Sequence, residues 1–301
     1  MAALMNKRFL LKLLSLFSVV RGYNILIVII AQYLTSAFIL APELPLRDIL
    51  FDDNLFFLIL STATVIASGY IINNFYDSEK DLINRPKKTM LDRVVSQRTK
   101  LSVYFILNFA AIFFASYVSF RAVVFFSLYI FVIWFYSHRL KKILFVGNLV
   151  ASILSITPFF AIFIYYKNFE TVIFIHATFL YLMIVMRELV KDLENMPGDM
   201  AQNYRTIPLV YGEKWSKFFL AILTFLALIP ILLLTTTFET GYMDYYFYVS
   251  FFFLTLFLLI LYFSKAKWQY LLLHNILKLI IVVGVFSILL IDMDEVLNRV
   301  F

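Results

Sequence analysis

Two short runs of this sequence set oxygen-bearing side chains at helical spacing. In the first, Asn73, Asp77 and Asp81 stand at i, i+4 and i+8, and Asn84 follows one turn later. That spacing places them on one face of a helix, which Pro86 is expected to stop soon after. In the second, Glu188, Asp192, Asn195 and Asp199 share a face for as long as the helix persists. Pro197-Gly198 is expected to break it near its end. Carboxylates and carboxamides are hard oxygen ligands. Mg²⁺ typically takes one or two of them, keeps some water and fills its remaining positions with phosphate oxygens. Two such faces opposed across a cavity could hold Mg²⁺ that bridges a diphosphate and neutralises the charge on a leaving pyrophosphate. Arg85, Lys87, Lys88, Lys191 and Arg205 lie beside these runs and could bind the outer phosphate oxygens.

A diphosphate held in this way, with apolar helices behind it, suits an allylic substrate. Its C–O bond ionises and an acceptor traps the carbocation, so no protein nucleophile is required. The chain has no cysteine, which excludes disulfides and thiolate metal sites. His138, His176 and His274 are far apart without metal-ligand spacing and read as ordinary side chains. A single acidic run at a helix end is usually a solvated face. Here there are two, each directly after a long apolar stretch, and ionisable groups near membrane depth are functional by default.

The elements that must position these runs follow from composition. Of 301 residues, 63% are hydrophobic; Phe occurs 35 times and Gly 7 times. Mean hydropathy is +0.89. One soluble core cannot hide that much apolar surface, so lipid is the solvent. Stretches long enough to cross the bilayer fall at 22–41, 54–76, 101–119, 122–137, 146–166, 170–187, 215–238, 243–264 and 270–291. Backbone groups in lipid must be satisfied within the segment, so these are helices. The expected fold is all-α, a single polytopic membrane domain over 1–301 with about nine transmembrane helices around a central cavity. The N-terminal stretch lacks a small-residue cleavage site and reads as a basic amphipathic segment on the membrane surface. Residues 243–301 carry no evident chemistry and read as lipid-facing scaffold.

Charge sets the orientation. With the N-terminus cytoplasmic and the C-terminus outside, 21 Lys and Arg fall on the cytoplasmic side. Arg47, Arg121, Lys167 and Arg299 fall on the other, and Lys278 within the last span. This is the positive-inside pattern. It also attributes the net charge of +7 to loops facing anionic lipid rather than to nucleic acid. Two polar loops, at 77–100 and 188–214, are longer than usual helix connections. Both carry the acidic runs, and both fall on the cytoplasmic side.

At these residues the chain resembles the UbiA superfamily of intramembrane prenyltransferases. The first family motif, Asn-Asp-x-x-Asp-x-x-x-Asp, is matched at Asn73, Asp77 and Asp81, with Asn74 where Asp is usual; Asn84-Arg85-Pro86 matches as well. The second is similar to Lys191-Asp192-x-Glu194-Asn195-x-x-Gly198-Asp199, with Asn195 where Asp is common. Both exchanges keep an oxygen ligand and remove a charge. Weaker matches are Arg21-Gly22-Tyr23-Asn24, Tyr136-Ser137, Leu140-Lys141 and Gly147-Asn148. The resemblance implies Mg²⁺ and diphosphate at the mouth of a central cavity. Asn73, Asp77 and Asp81 would form one metal face, Asp192 and Asp199 the other, with Glu188 and Asn195 assisting and Lys141 touching the diphosphate.

The run Arg187-Glu188-x-x-Lys191-Asp192-x-Glu194 is most similar to the branch that makes digeranylgeranylglyceryl phosphate, which prenylates a glycerophosphate hydroxyl in ether-lipid synthesis. The alternative acceptor is an aromatic quinone precursor. The implied partners are a prenyl diphosphate, its acceptor and membrane lipid; no protein partner and no nucleic acid is expected. An ion-coupled transporter is the chief rival from another class. Against it, the acidic runs leave the spans for basic loops, and no internal repeat is visible. A CDP-alcohol phosphotransferase would need Asp-x-x-Asp-Gly and Ala-Arg in one run, which the sequence lacks.

Overall fold

The computed structural model describes residues 2–291, with side chains from residue 10 onward. Helix α1 (Ala2–Val20) is followed by α2 (Gly22–Thr35), which ends in a π-helical turn, Ser36–Leu40. The short α3 (Leu46–Leu50) leads to α4 (Asp53–Tyr76), then α5 (Ser78–Asn84) and α6 (Pro86–Asp92). Next come α7 (Gln97–Val118), α8 (Phe120–His138), α9 (Val146–Tyr166) and α10 (Thr171–Ala201). The last three are α11 (Ile207–Thr236), α12 (Asp244–Phe263) and α13 (Lys267–Ser287).

Among the described residues, nine helical segments are long and apolar enough to cross a membrane. They coincide in order with the nine stretches read from the sequence. The closely spaced third and fourth are separate because Ser119 is fully extended (φ −176°, ψ 163°) and its Oγ accepts from Ala122 N–H to start α8. Arg299 and the C-terminus lie outside the described residues, as do the side chains of Lys7 and Arg8.

Two expectations are corrected. The helix that carries the second run does not break at Pro197-Gly198: α10 runs 31 residues to Ala201 with Pro197 inside it. Pro197 lacks one backbone donor, but Leu189, Val190 and Leu193 are buried on the same helix, so packing carries it through. The expected 188–214 loop therefore shrinks to a turn between α10 and α11. The N-terminal helix is also more than a surface segment: α1 packs on α4 and α6, with Ser15 and Val19 buried. Its Leu10, Leu11, Leu13, Leu14 and Phe17 remain exposed.

Two compact units are distinguishable. The first comprises the described residues up to Ile29, Asp53–Lys142 and Pro197–Tyr204. Here α4 lies along α7 and α8, and the small buried residues Ala111 and Ala115 permit close helix approach. The second comprises Ile30–Asp52, Ile143–Met196 and the described residues from Arg205 onward. Its core joins Met183 and Met186 of α10 to Leu220 and Ala227 of α11, Phe247 and Phe257 of α12, and Leu273 and Leu277 of α13. The described part of 243–301 thus builds a core as well as facing lipid.

Candidate active site

The first acidic run is not one uninterrupted helix. Asp77 caps α5 with φ −92° and ψ 3°, between the end of α4 and the start of α5. Even so, Asp77 N–H donates to Asn73 O, Asp81 N–H to Asp77 O and Arg85 N–H to Asp81 O, at 2.9, 2.8 and 2.7 Å. The i, i+4, i+8 row survives the break because the α-type bonds do. Pro86 ends the row by starting α6.

Lys141, in the 3₁₀ turn Leu140–Lys142 after α8, reaches this row. Its Nζ donates to Asp77 Oδ1 at 2.6 Å and to Asn73 Oδ1 at 3.3 Å. Two oxygens of the expected metal face thus converge on a single cation. Tyr204 adds a third contact, its OH donating to Asp77 Oδ1 at 2.8 Å.

The end of the second run joins the same unit. Gly198 N–H donates to Asn84 Oδ1 at 3.1 Å. A Cβ at Gly198 would stand 2.3 Å from Asn84 Nδ2, so this approach requires glycine. Asp199, fully buried, pairs with Lys80 at 2.5 Å. The Lys80 ammonium also lies 4.2 Å from the centre of the Tyr204 ring. Asn203 adopts left-handed backbone (φ 54°), and Tyr204 N–H donates to Asp199 O at 2.9 Å. That turn carries the tyrosine to Asp77.

In the second unit, Asp192 Oδ2 accepts from Asn148 Nδ2 at 2.7 Å. Glu188 pairs with Lys191 at 2.7 Å and with Arg187 at 3.2 Å. Glu194 lies 3.6 Å from His274 of α13, which gives the C-terminal segment a contact with the second motif. Asn195 Oδ1 is buried with no hydrogen-bond partner.

Electrostatics differ along the row. Burial pushes the Asp77 carboxyl upward, but the Lys141 and Lys80 ammoniums and the bonds from Lys141 and Tyr204 outweigh it and hold it below the usual range. Asp81 is raised, first by burial and then by the charge of Asp77. Tyr204 is raised by burial and by Asp77, so its phenol stays protonated and able to donate.

Of the remaining expected residues, Arg85 is half-buried and Arg205 is exposed. Lys191 is engaged with Glu188, and Lys88 with Asp92 at 3.0 Å. The weak matches are not idle: Arg21 sits 5.0 Å from the centre of the Tyr70 ring, and Asn24 donates to Tyr70 OH at 3.1 Å. Sequence reasoning missed Tyr204 and the pairing role of Lys80. Lys80 lay within the first run; Tyr204 is reached only through the turn at Asn203.

Among the described residues, no three His, Asp or Glu side chains gather at metal-binding spacing. In the first unit the donor set is mixed instead, with Asn73 beside Asp77 on Lys141. Hard oxygens that already converge on a cation fit a Mg²⁺ ion that completes its shell with phosphate.

Comparison with known proteins bears on this arrangement. The model of the UbiA prenyltransferase family matches residues 25–276. The digeranylgeranylglyceryl phosphate synthase of Pyrococcus furiosus is 34% identical over 54% of this chain and 58% of its own length. The enzyme of the same name from Methanobrevibacter smithii is 29% identical over 75% of this chain and 80% of its own. The match thus spans about three fifths of the first relative and four fifths of the second. A UbiA homologue from Archaeoglobus fulgidus, solved with GPP and Mg²⁺, superposes with a TM-score of 0.66 at 12% identity. That comparison covers 91% of this chain and 99% of the homologue.

Proposed function

Because the chain belongs to the UbiA prenyltransferase family and is a multi-pass integral membrane protein, we propose that it transfers a prenyl group from a prenyl diphosphate to a lipid hydroxyl in the membrane. The family model extends across both compact units, which supports reading the chain as one catalytic domain. The observation that carries the proposal is the convergence of Asp77 and Asn73 on Lys141, with Asp199, Lys80 and Tyr204 brought to the same unit. This is a cluster of hard oxygens and cations suited to a metal–diphosphate.

The residues divide the work. Asn73, Asp77 and Asp81 from the first run, and Asp192, Asn195 and Asp199 from the second, supply oxygens for Mg²⁺. Lys141, Arg85, Lys191 and Arg205 bind outer phosphate oxygens. Tyr204 fixes the Asp77 carboxylate. Mg²⁺ held by these oxygens would supply the positive charge that offsets the charge on the departing pyrophosphate. The C–O bond between the prenyl C1 and the diphosphate breaks, and its electron pair leaves with pyrophosphate. The acceptor oxygen bonds to C1, and its proton passes to the released pyrophosphate. Among acceptors, the glycerophosphate hydroxyl of an ether-lipid precursor is favoured by the two synthases similar to this chain. The excess of Lys and Arg in the loops bearing both runs supports a cytoplasmic site, a cytoplasmic N-terminus and an external C-terminus.

The test is an acceptor panel: purified protein, labelled prenyl diphosphate and Mg²⁺ with geranylgeranylglyceryl phosphate, dihydroxynaphthoate or hydroxybenzoate. Transfer to the glycerophosphate alone is expected. Transfer to an aromatic acceptor instead would reassign the branch, and no transfer to any of them would overturn the proposal.

A further inference from the structure

A second polar cluster lies in the first unit, away from Lys141, and is centred on Asn74. Lys100, on the first turn of α7, is almost completely buried at 1% exposure. Its Nζ donates to Asn74 Oδ1 at 2.8 Å. Asn74 Nδ2 donates to Asp92 Oδ2 at 3.2 Å, and Asp92, at the end of α6, is 2% exposed. Asp92 further accepts from Ser18 Oγ of α1 at 2.8 Å and from Lys88 Nζ at 3.0 Å. One carboxamide thus links a buried ammonium to a buried carboxylate and ties α1, α4, α6 and α7 together.

The chemistry requires an amide at 74. A buried ammonium needs a nearby negative charge, and Asp92 provides it through Asn74. The amide accepts from Lys100 and donates to Asp92 at once; a carboxylate there could only accept. Neighbouring residues on a helix point in different directions. Asn73 therefore faces Lys141 while Asn74 faces Lys100.

We propose that Asn74 is a positioning residue rather than a metal ligand, and that Asp92 carries the negative charge of this cluster, holding the end of α4 so that Asn73 and Asp77 keep their places. The proposal deepens the prenyltransferase reading, since its kinetic consequence rests on that reading.

The test is a charge exchange across the pair. Asn74→Asp would set two carboxylates against each other, and Asp92→Asn would leave Lys100 without a counter-charge. Each is expected to lower the melting temperature of the purified protein by several degrees. Each is also expected to cut turnover about tenfold and to raise the half-saturating Mg²⁺ concentration, because Asn73 and Asp77 are displaced. The double variant Asn74→Asp/Asp92→Asn restores one carboxylate and one amide, and is expected to recover most of both losses. If Asp92→Asn alone fails to fold, recovery of folded protein by the double variant is the same result. A double variant no better than the sum of the singles would overturn the proposal. So would an Asn74→Asp protein that needs less Mg²⁺. If the native protein transfers no prenyl group, the functional reading fails while the melting temperatures still decide the exchange.

Discussion

Tyr204 donates its phenolic hydrogen to Asp77 Oδ1 at 2.8 Å, across 127 positions of sequence. The same carboxylate oxygen accepts from Lys141. The tyrosine belongs to neither acidic run, yet it sets the orientation of the carboxylate central to the first. A hydrogen bond to a charged group contributes about 1.5–3 kcal/mol. Tyr204→Phe keeps the ring under Lys80 and removes only the bond. Turnover is expected to fall about tenfold with little change in melting temperature. Unchanged kinetics would remove Tyr204 from the site.

The Lys80–Asp199 pair is buried on the acid side. Lys80→Met strands a carboxylate inside the protein, a change that typically costs about 3–5 kcal/mol. The melting temperature should fall markedly. Adding Asp199→Asn should recover stability but not activity, because the second run then lacks its last carboxylate. Thermal unfolding and pyrophosphate release, measured on the same samples, separate the two effects. Recovery of both would mean that Asp199 is structural only.

Gly198 is packed against Asn84 with no space for a methyl group. Gly198→Ala must displace Asn84 and break the bond that it accepts from the backbone at 198. Lower activity and lower stability are expected together. An alanine variant indistinguishable from the native protein would show that the close approach is dispensable.

Asp81 titrates higher than an ordinary carboxylate because it is buried and lies beside Asp77. Its charged form is therefore penalised in the folded protein. Asp81→Asn is expected to raise the melting temperature at neutral pH while lowering activity. As pH falls through the raised pKa, native Asp81 becomes neutral and the stability advantage of the variant should disappear. A variant less stable than the native protein at neutral pH would contradict this assignment of strain.

The spans were legible because uninterrupted apolar length is a strong signal and lipid leaves helix as the one local solution. The faces of Asn73, Asp77 and Asp81 were legible for a similar reason: spacing alone fixes them, and backbone bonds carry the row through the break at Asp77. The persistence of α10 past Pro197 was not legible, because tertiary burial of Leu189, Val190 and Leu193 overrides the local effect of proline. Nor was Tyr204, whose position depends on a left-handed turn at Asn203. Asn74 stands where the family motif usually has Asp. Which way it faces depends on Lys100 and Asp92, and no local pattern reports them.

Assignment of Asp77 to a metal–diphosphate centre rests on one experiment: labelled prenyl transfer followed in purified native and Asp77→Ala protein, each titrated with Mg²⁺ after treatment with EDTA. Native activity is expected to vanish with EDTA and return with Mg²⁺, while folded Asp77→Ala stays nearly inactive at every Mg²⁺ concentration. Native turnover that persists in EDTA, or an Asp77→Ala protein that works at the native rate, would contradict it.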